Sequence, residues 1–244
     1  LALVRDVVLS AGVSLPVFQS STFAAAGGED YHDLRYIRLN NTPNHQVLHA
    51  KLAALEGAEA ALVTASGMAA IATSLLALLR AGDHLLVQDC LYGGTRSLIA
   101  EDLARLGIAA TFIDADEPSS WAAALRPSTR LIYVEAMTNP LLQVADLPGV
   151  VAFARAHGLL AVIDNTLATP LNYRPLHSGF DLSLHSGTKY LNGHTDIVAG
   201  VVAGSAALVE RVKRRLDHLG GCLDPHACFL LYRGLKTLAL RVRH

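Results

Sequence analysis

The residues of this chain best suited to chemistry lie between His185 and Gly200, in the run His-Ser-Gly-Thr-Lys-Tyr-Leu-Asn-Gly-His-Thr-Asp-Ile-Val-Ala-Gly. Lys189 follows two hydroxyl-bearing residues, Ser186 and Thr188, with Gly187 between them. Apolar runs at 180–184 and 198–202 flank it, and each is a short strand signal. A lysine held on a tight turn between two buried strands is costly unless it is paired or neutral. Desolvated, its amine is a nucleophile that forms Schiff bases with carbonyl compounds. The neighbouring hydroxyls and the amides around Gly187 suit an anion such as a phosphate. A solvated lysine on a surface turn explains these residues equally well, so the rest of the chain must decide.

The elements that would position this turn alternate along the chain. Residues 1 to about 45 are punctuated by Gly12, Pro16, Gly27, Gly28 and Pro43, which predicts an extended arm. Helical spacing of Val47, Leu48, Leu52 and Leu55 predicts a helix over 46–55 that stops at Gly57. Strands are then expected at 60–64, 84–88, 109–113, 129–134 and 160–163. Helices are expected at 67–79, 95–106, 119–125 and 147–157 between them, and at 205–219 and 225–242 after the lysine turn. Strands alternating with helices of this length predict an α/β fold, a mostly parallel sheet covered by helices on both faces. The unbroken apolar runs Leu85-Leu86-Val87 and Ala161-Val162-Ile163 read as buried parallel strands.

Bulk properties remove several classes of function. The chain has 244 residues, 52% of them hydrophobic, enough for one large domain with a buried core. Its net charge is −1 and its basic residues form no long patch, so nucleic acid and anionic membranes are poor partners. No apolar run approaches the ~20 residues that cross a bilayer. The opening Leu1-Ala2-Leu3-Val4-Arg5-Asp6 is broken by charge too early for a signal peptide. Three scattered cysteines, Cys90, Cys222 and Cys228, argue for a reducing, cytoplasmic setting rather than a disulfide framework. His45 and His49 share a helical face but lack the companions of a zinc site, so no metal is expected.

In open α/β sheets, ligands bind beyond the carboxyl ends of the strands. Ser66-Gly67-Met68 follows the first strand and presents amides at a helix start, a phosphate cup or an ordinary helix cap. Tyr92, before Gly93-Gly94-Thr95, is a ring platform or a turn aromatic. Glu135 and Asn139-Pro140 follow the fourth strand, and Asp164-Asn165-Thr166 the fifth. Asp164 closes an apolar run, where a carboxylate needs a cationic partner or solvent. Together with Lys189 these supply a Schiff-base amine, a phosphate cup, a ring platform and an anion for a protonated ring nitrogen. That set fits pyridoxal phosphate. Neither G-x-G-x-x-G nor G-x-x-x-x-G-K-[ST] occurs.

At this level the chain resembles the pyridoxal-phosphate enzymes of cysteine and methionine metabolism: cystathionine γ-synthase, the cystathionine β- and γ-lyases and methionine γ-lyase. The likeness runs over nearly the whole chain. It rests on Gln19-Ser20-Ser21-Thr22-Phe23, Tyr36-Ile37-Arg38, Leu55-Glu56-Gly57, Ser66-Gly67-Met68-Ala69-Ala70 and Tyr92-Gly93-Gly94-Thr95. It continues through Thr138-Asn139-Pro140, Asp164-Asn165-Thr166, Ser186-Gly187-Thr188-Lys189-Tyr190 and Arg233-Gly234-Leu235-Lys236-Thr237-Leu238.

The resemblance implies an aspartate-aminotransferase-like, fold type I cofactor domain over 46–244. It implies that Lys189 is the Schiff-base lysine and then the acid–base group at the substrate's Cα. Asp164 is implied at the pyridine nitrogen with Thr166 beside it, Tyr92 on the ring, and Asn139 near the ring hydroxyl. Ser66, Gly67, Met68, Ser186 and Thr188 are implied around the phosphate. Tyr36 and Arg38, in the arm over 1–45, would reach the phosphate of a neighbouring subunit's cofactor, which implies a homotetramer built as a dimer of dimers. The implied reaction is β- or γ-elimination from cystathionine or a related sulfur amino acid, with Tyr92 or Tyr36 handling protons.

Some positions depart from the family. Asn41-Thr42-Pro43 inverts the usual Asn-Pro-Thr, Glu135-Ala136-Met137 replaces Glu-Ser-Pro, and Leu167 stands where phenylalanine is common. Gly94 occupies the position of a cysteine characteristic of methionine γ-lyases, which disfavours that member. The family continues past the point matching His244 into a substrate domain that bears the carboxylate-binding arginine, so this sequence is expected to be part of a longer chain. Two alternatives stand beside the lyase: a γ-replacement transferase, and a cofactor-binding remnant without turnover.

Overall fold

The computed structural model describes residues 15–24, 27 and 31–244. Gly12, Gly28 and the opening Leu1–Asp6 lie outside them. Seven strands form one sheet: β1 (Ala60–Thr64), β2 (His84–Gln88), β3 (Ala109–Ile113), β4 (Thr129–Glu135), β5 (Leu160–Asp164), β6 (Leu182–Ser186) and β7 (Gly200–Gly204). Their order is β1-β7-β6-β5-β4-β2-β3. Strands β3, β2, β4, β5 and β6 run parallel, whereas β7 is antiparallel to both β6 and β1. The expected mostly parallel sheet is therefore present.

Side-chain alternation assigns the faces. Leu62, Leu85, Val87, Leu131, Tyr133, Val162, Leu182, Leu184 and Val202 point to one face, where they pack with Leu75 and Leu78 of the helix Gly67–Leu78 and with Val212 and Leu216 of the helix Ala206–Leu219. Leu86, Ile132, Val134, Ala161 and Ile163 point the other way, onto Trp121 and the helix Leu147–Ala156. On that second face Val63 and Val201 meet the helices Pro43–Glu56 and Pro225–Leu235. Helices cover both faces, so apolar runs on the central strands are buried throughout.

Several boundaries differ from the periodicity. The helix expected over 46–55 begins at Pro43, because proline is tolerated in the first turn, after Thr42 in an extended conformation. Described residues ahead of this helix also contact the rest of the chain. Thr22 bridges Tyr36, the Phe18 amide donates to Asn44 Oδ1, and Arg38 donates to the Asp217 carbonyl. The helix expected over 95–106 starts at Gly93 and passes through a wider π-helical stretch at Leu98–Leu103. The helix expected over 225–242 breaks into Pro225–Leu235 and Leu238–Arg243. Near the break Gly234 approaches Asn192 so closely that a Cβ there would lie 2.4 Å from the Asn192 carbonyl oxygen. Among the described residues, no helix is long and apolar enough to cross a membrane.

Candidate active site

The carboxyl ends of the parallel strands come out along one edge of the sheet, and a cavity of about 340 Å3 lies there. Of the residues singled out in the sequence, Ser66, Gly67, Met68, Tyr92, Asn139, Asp164, Thr166, Ser186, Thr188 and Lys189 all line it. Tyr36 and Arg38 do not. Arg38 instead stacks over the rings of Tyr31 and Tyr36, and its guanidinium donates to the Tyr31 hydroxyl and, at 2.8 Å, to the Asp217 carbonyl.

The register explains how β1, β6 and β7 converge. Gly200 pairs with Thr64 on one side and Ser186 on the other. A Cβ on Gly200 would fall 2.1 Å from the Ser66 carbonyl oxygen, so the absence of a side chain lets the strand pass under the cup. Gly67 has the same role one step further on: its Cβ would meet Ser186 Cβ at 2.8 Å. The Ser66 hydroxyl caps the helix Gly67–Leu78 by accepting the Ala69 amide at 3.0 Å. The helix start, with its unpaired amides, therefore opens beside Ser186.

After β6 the chain turns sharply, with the Lys189 amide donating to the Ser186 carbonyl at 3.2 Å. Thr188 fastens the turn to β7, since its hydroxyl donates to the Ala199 carbonyl at 3.2 Å and accepts the Ala199 amide at 3.0 Å. On the far side, Arg241 donates to the carbonyls of Tyr190 at 2.7 Å and Leu191 at 3.3 Å, holding the segment after the lysine.

Lys189 lines the cavity in the solvated setting, one of the two left open by the sequence. It is exposed, not desolvated between strands. The turn carries it past the end of β6, so its environment depends on what fills the cavity and not on packing within the sheet.

Asp164 is different. Thr166 donates to its Oδ1 through the hydroxyl at 2.5 Å and through the amide at 2.9 Å. Desolvation raises its carboxyl above the ordinary aspartate range, and the Thr166 hydrogen bonds only partly offset this. A partly buried acid whose charge is disfavoured, set in a cavity wall without an ion-pair partner among the described residues, suits a cationic ring nitrogen. Beside it, Glu135 pairs with Asp164 in the β4–β5 register and also lines the cavity. Burial raises the Glu135 carboxyl to about 7. The sequence pointed to Glu135 only as a strand end, because its partner, the Tyr92 amide at 2.8 Å, comes from a distant loop.

The residues present fit pyridoxal phosphate on these grounds: a glycine-cut cradle at a helix start, an acid seeking a cation, and a primary amine free to reach into the same cavity. Among the described residues, no cluster of three or more His, Cys, Asp or Glu side chains gathers as a metal site.

Comparison with known proteins agrees with this geometry. The family described as Cys/Met metabolism PLP-dependent enzyme matches residues 6–244. A probable cystathionine gamma-synthase of Herpetosiphon aurantiacus is 41% identical over 236 residues, covering 96% of this chain and 73% of the relative. An L-methionine gamma-lyase of Pseudomonas putida is 43% identical over the whole chain, and a cystathionine gamma-lyase of Bacillus subtilis is 42% identical over 94% of it. The chain spans 61% and 60% of those two relatives. The crystal structure of a cystathionine gamma-lyase from Lactobacillus plantarum, complexed with L-serine, superposes with a TM-score of 0.90 at 38% identity, covering 96% of this chain and 61% of that one. With the family match over nearly all its length, the chain belongs to the pyridoxal-phosphate-dependent enzymes of cysteine and methionine metabolism.

Proposed function

We propose that this chain is the cofactor-binding part of a carbon–sulfur lyase that cleaves cystathionine or a related sulfur amino acid by β- or γ-elimination. The observation that carries the reading is the meeting of Lys189, Asp164, Tyr92 and the Ser66–Met68 helix start in one cavity. Bound there, pyridoxal phosphate supplies a ring that withdraws electrons from the substrate's α-carbon.

The chain's own residues divide the remaining work. The helix start at Gly67 and Met68, with Ser66 and Ser186, holds the phosphate by amides and hydroxyls. Asp164, steadied by Thr166, faces the ring nitrogen and keeps its proton in place. The Tyr92 ring lies against the cofactor ring, and Asn139 sits by its hydroxyl. Lys189 holds the cofactor through its amine. When not bound to the cofactor, the Lys189 amine takes the proton from the substrate's Cα and passes it to the departing thiol or the remaining carbon skeleton, because Cα ends as the carbonyl carbon of a 2-oxo acid. Tyr92, in the same cavity, protonates the departing sulfur. Tyr36 and Arg38, on the arm and outside this cavity, reach the phosphate site of a neighbouring subunit in a tetramer. Three unpaired cysteines support a cytoplasmic setting.

The test uses the full-length protein. Borohydride reduction of the cofactor-loaded enzyme, followed by peptide mass mapping, is expected to place the cofactor mass on Lys189 alone. Lys189→Ala is expected to lose that adduct and at least 1000-fold in cystathionine cleavage. Full turnover in Lys189→Ala would sink the reading. Faster consumption of an acylated homoserine with cysteine than of cystathionine would instead assign a γ-replacement transferase.

A further inference from the structure

Tyr92 is 49% exposed, so packing covers only half of the side chain proposed to lie on the cofactor. It stands at the N-cap of the helix that starts at Gly93, and the first two helical residues, Gly93 and Gly94, offer no side chain to pack against it. Its backbone is held on both sides: the Arg96 amide donates to the Tyr92 carbonyl at 3.0 Å, within the helix. The Tyr92 amide donates to Glu135 Oε1 at 2.8 Å, which joins the loop after β2 to the end of β4. Glu135 is itself rigidly placed: it is 4% exposed, and its amide donates to Gln88 Oε1 at 2.9 Å, at the end of β2.

A buried carboxyl normally has a cation beside it. Among the described residues, no lysine, arginine or histidine forms an ion pair with Glu135. The ionisable groups around it are Asp164 from β5, Tyr133 from the same face of β4, and Tyr92 and Lys189 at the cavity. Desolvation and, to a lesser extent, the Asp164 charge push its carboxyl up, while the amides of Tyr92 and Asn139 pull it down. An acid kept in such a place serves its hydrogen-bond acceptor, which survives in either protonation state.

We propose that Glu135 is a positioning residue of the cofactor site, its carboxyl oxygen holding the Tyr92 amide and thereby setting where the Tyr92 ring lies. The proposal rests on the reading that the cavity holds pyridoxal phosphate with Tyr92 against its ring.

The test compares the full-length protein with E135Q and E135M, each with and without pyridoxal phosphate, by hydrogen exchange and by the rate of cofactor release. E135Q keeps a carbonyl acceptor at the same place, while E135M keeps the volume and removes the acceptor. In E135M the amides over 91–95 are expected to exchange at least tenfold faster, with strands β1 and β7 unchanged as the control for folding. In E135Q they stay within about threefold of wild type, and cofactor release follows the same order. Wild-type exchange over 91–95 in folded E135M would overturn the proposal. So would a folded E135Q that loses as much protection as E135M, and this arm decides alone if E135M does not fold. Failure of the wild-type protein to take up cofactor would overturn the cofactor reading instead, because the exchange comparison runs equally on unloaded protein.

Discussion

The Thr166 hydroxyl donates to Asp164 Oδ1 across 2.5 Å and accepts the Ser186 amide at 2.8 Å. One side chain thus ties the acid at the end of β5 to the residue that closes β6 and opens the lysine turn. It also opposes the desolvation that raises the Asp164 carboxyl. Thr166→Val keeps the shape and loses both bonds, at about 1 kcal/mol each. Cofactor affinity, read by fluorescence titration, is expected to fall at least tenfold in T166V and to stay within about threefold of wild type in T166S.

Gly67 answers to space and not to charge. An alanine there would bring Cβ to 2.9 Å from Ser186 Cα, an atom that cannot turn aside. The helix start and β6 must separate, which opens the cup on which the phosphate is read to sit. Gly67→Ala is expected to cost about 1–3 kcal/mol in denaturant unfolding and to weaken cofactor binding. Gly93→Ala is the control, since no atom beyond its chain neighbours and its own helix backbone lies within 4 Å of its Cβ position. Its unfolding midpoint is expected to stay at the wild-type value.

The legible parts of this molecule were those written in local pattern. Strands over 60–64, 84–88 and 109–113 lie where the short apolar runs place them, and the central one, 84–88, is buried at every position between two parallel neighbours. Strands β6 and β7 lie two residues later than their runs suggest. Phe180 is buried and Val198 exposed, but neither belongs to a strand, and the register is set by the glycine at 200 passing under Ser66. The helices Thr169–Asn172 and Pro175–Ser178 are too short to show a period. Most of the site was readable because each residue ends a strand. The contacts of Glu135, which was visible only as a strand end, and of Arg241 were not, since their partners are the Tyr92 amide and the Tyr190 and Leu191 carbonyls, which only the tertiary fold brings near.

His45 makes stability depend on pH. It is fully buried, and its Nε2 lies 2.7 Å from the Leu223 carbonyl, which can only accept. Nε2 therefore carries the hydrogen, and Nδ1 of the neutral ring accepts from the Thr42 hydroxyl at 2.7 Å. Burial lowers its pKa to about 4, with the Leu223 hydrogen bond opposing. The unfolded chain binds a proton below about 6.5 and the folded chain does not, so stability is full above that pH and is lost as pH falls from 6.5 toward 4. Between pH 7.5 and pH 5 this histidine alone is expected to remove about 1–2 kcal/mol. Denaturant unfolding at the two pH values checks it, and His45→Gln is expected to show the shallower dependence.

His185 stands directly before Ser186 and points away from the cavity, where its Nε2 meets Glu56 Oε1 at 2.5 Å. Both side chains are 1% exposed, and neither Glu56 Oε2 nor His185 Nδ1 has a hydrogen-bond partner among the described residues. The pair joins the end of the helix Pro43–Glu56 to the strand that carries the lysine turn. Its parts are costly to separate, because each leaves the other buried and unpaired. Glu56→Leu alone is expected to destabilise the fold by about 3 kcal/mol or more, and His185→Leu by a similar amount. The double variant replaces two poorly solvated groups with apolar ones and is expected to recover most of that loss. Chemical denaturation of the four proteins in one cycle measures the coupling. Additive losses in the double variant would mean that the two side chains stabilise the fold independently. Recovery would show that the strand bearing Ser186 is held to the helix by a pair whose value lies in its being complete.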